Sequence, residues 1–288
     1  MNTRNLLIAL LCTMVFASCE DPSAKEDILP EPERMQLNLT LGNPSGAKAD
    51  PTATENYLIQ LPQYSLSYSR SKGIPNWVSW HLSEDWLGSA SRTDAFQPYT
   101  ALPDGWYQVQ ATDYQYAANG FDRGHNCPSA DRTLNAEDNT ATFYMTNMIP
   151  QAPKHNQGIW ADLENYSRKL VNEGNELYII SGNYGVGGTS VVGYREKLAN
   201  GKITVPRYIW KVIVVLPYGE DDLSRIDEKT RIIVVNIQNK DSLGGDNWWD
   251  YRVSVNEIEA ATGYDLLSNL SNTLEAVIEA KVDEEKVR

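Results

Sequence analysis

Apolar and polar residues alternate with period two along Tyr64-Ser65-Leu66-Ser67-Tyr68-Ser69, and a second such run, Trp77-Val78-Ser79-Trp80-His81-Leu82, follows Ser71-Lys72-Gly73-Ile74-Pro75. Period two is the side-chain spacing of a strand, so the two runs and their Gly/Pro-containing break predict a β-hairpin. Three later runs, 176–181, 208–216 and 231–236, are dense in Ile and Val and predict central strands of one sheet. The period then changes. A helix is predicted from Pro153 through Leu170, with Ile159, Leu163, Tyr166 and Leu170 on one stripe and Asn156, Trp160, Glu164 and Arg168 on another at four-residue spacing. Two more helices are predicted, at Val255–Thr262 ending at Gly263 and from Asn272 into the charged tail. Runs of strands with interspersed helices give a mixed α+β domain in place of regular strand–helix alternation.

The ends of the chain read differently from its middle. Residues 1–18 have a basic start at Arg4, an apolar run from Leu6 to Ala17 and small residues before Cys19, the pattern of an export signal. Phe16-Ala17-Ser18-Cys19 also resembles the bacterial lipobox, in which the cysteine becomes the acylated first residue; otherwise this is a plain signal with an incidental cysteine. On the lipobox reading Cys12 leaves with the signal, Cys19 carries lipid and Cys127 is left without a disulfide partner. Residues 19–56 are rich in Pro, Ala, Ser, Thr, Asn and acids, which predicts a tether ordered only around Met35–Leu39. The folded body is expected at 57–275, followed by a charged tail at 276–288. The expected location is outside the cytoplasm, on the cell envelope (outer membrane or cell surface) of a bacterium, with the bilayer as partner through Cys19.

Chemistry concentrates in Phe121-Asp122-Arg123-Gly124-His125-Asn126-Cys127-Pro128, which contains one of only three histidines. An imidazole can take a proton from water near neutral pH, a guanidinium can hold a phosphate oxygen, and Gly124 lets the backbone between them bend. Phosphodiester chemistry is the expectation. The net charge of −13 opposes it, since a nonspecific duplex binder shows a basic face, so attraction must come from a local cluster of arginines or from metal ions. The stripe Asn156, Trp160, Glu164, Arg168 is on pattern alone a solvated helix face.

Asp122-Arg123-Gly124-His125 with Pro128, then Thr146-Asn147-Met148-Ile149-Pro150-Gln151, then Asn156-Gln157-Gly158-Ile159-Trp160-Ala161-Asp162-Leu163-Glu164 together resemble the DNA/RNA non-specific endonuclease family. That family comprises the sugar-non-specific bacterial nucleases and mitochondrial endonuclease G. Supporting blocks run from Tyr64 to about Leu270, so the likeness covers most of the mature chain. It implies a ββα-metal nuclease fold with a central, mostly antiparallel sheet flanked by helices. It also implies cleavage of DNA and RNA to 5′-phosphate products. In the implied site His125 is the general base and Asn156 the direct ligand of Mg²⁺, or of Mn²⁺ or another divalent cation. Glu164 holds metal-bound water, Arg123, Arg168 and Arg92 meet the phosphate, and Asn147 positions His125 or the metal shell. Asp122 is assigned to fixing the turn.

His81 is expected to be structural, His155 a tolerated surface residue or else a group supporting the site from behind, and Cys127 a small buried side chain with no group placed to activate its thiol. A second reading makes the protein a non-catalytic surface lipoprotein that binds glycans or nucleic acid through its eight Trp and sixteen Tyr, with Trp248-Trp249 as the stacking candidate. A third, a delivered toxin, is opposed by the predicted tether.

Overall fold

In this computed structural model, which describes residues 30–287, helix α1 (Glu31–Leu37) precedes strands β1 (Tyr57–Gln60), β2 (Ser65–Ser69) and β3 (Ile74–Leu82). Strands β4 (Asp122–His125) and β5 (Met148–Gln151) flank helix α2 (Ala136–Ala141), and α3 (Ala161–Asn172) leads into β6 (Asn175–Tyr184), β7 (Tyr208–Pro217) and β8 (Arg231–Gln238). Helices α4 (Val255–Thr262) and α5 (Asn272–Ile278) follow. The predicted signal and Cys19 lie outside the described residues. Among those described, no helix is long and apolar enough to cross a membrane.

The apolar runs form a six-stranded sheet in the order β1-β2-β3-β6-β7-β8, with every neighbouring pair antiparallel. The fold is therefore α+β with a central antiparallel sheet flanked by helices, consistent with a ββα-metal nuclease. Both faces of the sheet are covered, which explains why its central strands read as continuous apolar runs. Trp80, Ile179, Ile209, Ile213 and Ile233 pack on one face with Leu163 of α3 and Met148 of β5. Tyr178, Ile180, Trp210, Val212 and Val234 pack on the other with Leu41, Val255, Ile258 and Ile278. The candidate chemistry lies on the first face. On the second, Ser254 caps α4 with a reciprocal Glu257 bond and Gly263 ends it at φ +74°, at the boundary the sequence predicts.

Three expectations change. The predicted tether is ordered from residue 30: Asn38 donates to the carbonyls of Leu61 and Pro62 at 3.1 Å each, Trp77 Nε1 donates to Ser45 Oγ at 2.7 Å, and Leu41 is buried. Its Asn and Ser residues supply hydrogen bonds that irregular backbone cannot make for itself. The tail is also docked. Both Nε and Nη2 of Arg231 donate to Asp283 at 2.9 Å, and Arg252 Nη1 joins them at 3.1 Å. Finally, the helix predicted from Pro153 is regular only from Ala161, because His155–Trp160 form a wide turn in which Gly158 leaves helical geometry (φ −106°, ψ −108°).

Candidate active site

Strand β4 pairs with β5 as a separate two-stranded unit, His125 opposite Met148 and Asp122 opposite Gln151. Gly124 is ordinary strand here and makes no bend. What demands glycine is Gln151, whose side chain lies across it: a Cβ at this position would sit 2.2 Å from Gln151 Oε1. Asn147 ties the loop after His125 in place. Its amide donates to the carbonyls of Cys127 at 2.9 Å and Thr142 at 2.8 Å, and its Oδ1 accepts from the Cys127 N–H at 3.0 Å. Arg132, fully buried, fastens the far end of that loop to the sheet by donating to the carbonyls of Gln63 at 2.9 Å and His81 at 2.9 Å.

The His125 ring is held by aromatic neighbours. Phe143 meets it edge-on at 4.9 Å and Phe96 lies at 5.6 Å, leaving the residue 9% exposed. The two arginines cover those same rings, Arg123 at 3.9 Å over Phe96 and Arg92 at 4.8 Å over Phe143. Arg92 is aimed further by Asp94 Oδ1 at 2.6 Å and Ser129 Oγ at 3.1 Å. Nε2 of His125 has no hydrogen-bond partner. Burial, then the charges of Arg92 and Arg123, push the imidazole down to about 3, so it is neutral at physiological pH.

The downstream residues divide into two groups. Asn156 lies in the wide turn, where its amide donates to Asp122 Oδ2 at 2.9 Å alongside Gln157 at 2.7 Å, so the Asp122 carboxylate links β4 to that turn. Glu164 and Arg168 on α3 face the sheet and not solvent. Arg168 donates to buried Asp131 at 2.6 Å, and Glu164 lies 3.6 Å from Lys211 of β7. Lys211 is 1% exposed, with its ammonium 4.3 Å from the Trp160 ring and 5.5 Å from that of Trp80. Burial drives Glu164 up and Lys211 down, each opposed by the other's charge. Trp80 Nε1 donates to Asp131 at 3.1 Å. Ser129–Asp131 is one short turn, so Arg92 and Arg168 hang on the same loop.

Residues 41–273 match the family described as DNA/RNA non-specific endonuclease. The chain belongs to this family. A nuclease of Nostoc sp. is 49% identical over 249 residues, covering 86% of this chain and 87% of that one. A nuclease of Serratia marcescens is 27% identical over 288 residues, 98% of this chain and 96% of its own. At the level of fold, a chain in the solved EndoG/EndoGI complex superposes with a TM-score of 0.68 at 22% identity, covering 86% of this chain and 97% of that one. Among the residues gathered here, sequence reasoning missed Lys211 and Asp131. The one signal for Lys211 was a lone charge inside Tyr208–Leu216.

The expectation of a Mg²⁺, Mn²⁺ or other divalent cofactor is overturned. Among the described residues no group of three or more His, Cys, Asp or Glu side chains is placed to hold a metal ion. Of the two residues assigned to it, Asn156 donates its amide to Asp122 and Glu164 faces an ammonium.

The other histidines and the tryptophan pair also resolve. His81 is buried against Glu176, Nε2 to Oε2 2.9 Å, in a structural position. His155 is no surface residue: it is fully buried, edge-on to Trp160 at 5.3 Å, with neither ring nitrogen partnered. Cys127 is fully buried, and that burial pushes its thiol up to about 12, which keeps it from acting as a nucleophile. Of the tryptophan pair, Trp248 is buried against Tyr166 at 5.1 Å and offers no stacking surface, while Trp249, edge-on to it at 5.6 Å, is half-buried.

Proposed function

We propose that the protein hydrolyses phosphodiester bonds of DNA and RNA, with His125 as general base, leaving 5′-phosphate ends. The observation that carries this reading is a neutral imidazole with an unpartnered ring nitrogen between two guanidiniums, in a chain of the non-specific endonuclease family. His125 takes a proton from water as the water oxygen forms a bond to phosphorus. The bond from phosphorus to the 3′-oxygen breaks, and that oxygen leaves with the electron pair and is protonated by solvent. Arg123 and Arg92 hold the phosphate oxygens, offsetting the charge that builds in the transition state. The same contact tunes the base. The single negative charge of a bound phosphodiester partly offsets the two cations that depress His125, and the offset grows as charge builds in the transition state, raising the proton affinity of the base. Asn147 serves as a positioning residue through the backbone that follows His125. Glu164, Arg168, Lys211 and Asp131 brace α3 against the sheet, and Arg168 remains the candidate for a third phosphate contact.

Phosphate contacts carry no information about base or sugar, which suits cleavage of both nucleic acids. His125→Ala is expected to lower cleavage of plasmid DNA and of RNA by at least about a hundredfold, the contribution of a general base. Cleavage undiminished in that variant removes the mechanism. The N-terminal reading is proposed alongside: residues 1–18 export the chain and Cys19 carries the lipid. Mass spectrometry of envelope-associated protein is expected to show an acylated Cys19 at the N-terminus, and Cys19→Ser to release the protein from membranes.

A further inference from the structure

A groove of about 590 Å³ opens beside β4, lined by Tyr114, Gln115, Tyr116, Phe121, Asp122 and Arg123. That volume lies within the range of small-molecule sites, roughly 300–1,000 Å³. Its lining is unusual for plain surface. Tyr116 is 51% exposed, and its ring stacks on no other aromatic among the described residues. Tyr114 is buried, with a hydroxyl that has no hydrogen-bond partner. Gln115 stands between two short helical turns, Ala111–Tyr114 and Tyr116–Asn119, in left-handed backbone at φ +41° that a non-glycine residue adopts at a cost.

The segment is nevertheless fixed. The Gly120 N–H donates to the Tyr116 carbonyl at 2.7 Å, Asn119 Nδ2 donates to the Tyr114 carbonyl at 3.0 Å, and Ser190 Oγ donates to the Asn119 carbonyl at 2.7 Å. Arg123 belongs both to this groove and to the cluster around His125. A phosphate meeting Arg123 would therefore stand at the edge of the groove.

We propose that the groove holds a nucleobase of single-stranded nucleic acid, the neighbour of the scissile phosphate, stacked on Tyr116 with its polar edge met by the Gln115 amide. This rests on the nuclease reading and adds the form of the substrate. A base inside a duplex presents no free face to an aromatic ring, whereas an unpaired base does. The overall charge of −13 sharpens the point: with little long-range attraction for a polyanion, local stacking and a few arginines supply the affinity.

The test uses the full chain carrying His125→Gln, so that the probe survives, and a fluorescein-labelled eight-nucleotide single strand followed by anisotropy. The single strand is expected to bind more tightly than a duplex of the same sequence. Adding Tyr116→Ala is expected to weaken it about tenfold, as for loss of one stacked base. A 2-aminopurine in the probe is expected to be quenched by the Tyr116 protein and not by the alanine variant. Equal affinity with and without Tyr116, or tighter binding of the duplex, overturns the proposal. Cleavage of nucleic acid by the unaltered enzyme is scored separately: its absence sinks the nuclease reading, while intact cleavage with unchanged Tyr116→Ala binding sinks the groove alone.

Discussion

The role proposed for His125 asks it to be neutral so as to accept a proton and to stand near cations that meet a phosphate, and both needs depress its proton affinity. Arg92 and Arg123 meet the second need from positions over the Phe143 and Phe96 rings, where a delocalised guanidinium packs better than a compact ammonium. Arg123→Lys, although it keeps the charge, is therefore expected to lower kcat/KM by about tenfold or more on DNA and RNA alike, the size of one lost charge-assisted contact. An unchanged value would show that charge alone suffices. At this scale the Asp122–His125 block and Asn147 could be read from the chain because each sits in a short, locally ordered motif. Lys211 and Asp131 could not, since their roles depend on α3 residues far away in sequence, Glu164 and Arg168. His155 was misread for a related reason: its burial comes from Trp160 and the sheet packed around a turn whose width no periodicity announces.

Elements explain what the residues alone do not. Helix α3 is held to the sheet by Glu164 against Lys211 and by buried Leu163, and to the Ser129–Asp131 turn by Arg168 against Asp131. Lys211→Met removes the cation but leaves Glu164 in its buried setting, which makes the carboxylate costlier to ionise. Breaking such a pair typically costs about 3–5 kcal/mol. Thermal unfolding is expected to show a lower Tm, and the acid limb of the pH–rate profile is expected to move to higher pH. Lys211→Arg is expected to restore most of both. A lower Tm with an unmoved acid limb would confine Lys211 to stability. The core strands were legible in the Ile/Val runs, and α4 in its periodicity and glycine stop, whereas the antiparallel order was implied by the family resemblance. The ordering of residues 30–56 was not, because its Asn and Ser residues bond to partners such as Leu61 and Trp77 while their composition is that of a free linker.

Across the whole molecule, buried titratable groups set opposing pH limits. His125 and His155 are both held down to about 3 from 6.5, so between those values the unfolded chain binds protons that the folded one refuses. Stability rises with pH through that window and is lost on acidification. Glu279 acts in the other direction. Burial, then the nearby Glu259, Glu275 and Asp265, push it up to about 8 from 4.5, so its contribution is present below that window and fades as pH rises through it. Tm measured from pH 4 to 9 is expected to pass through a maximum, with His155→Leu flattening the acid side and Glu279→Gln the alkaline side. Unaltered slopes in both variants would assign the dependence to other groups. The sheet itself has a further consequence, because its alternation works as a counting rule. Along β7 the odd positions Ile209, Lys211 and Ile213 face the catalytic layer, and the even positions Trp210, Val212 and Val214 face its opposite. Losing a single codon before Lys211 within this strand would turn the ammonium into an all-apolar compartment and thrust an indole toward Glu164, whereas the same loss in a surface loop is absorbed. Evolution can therefore exchange side chains on this strand far more readily than it can change the strand's length.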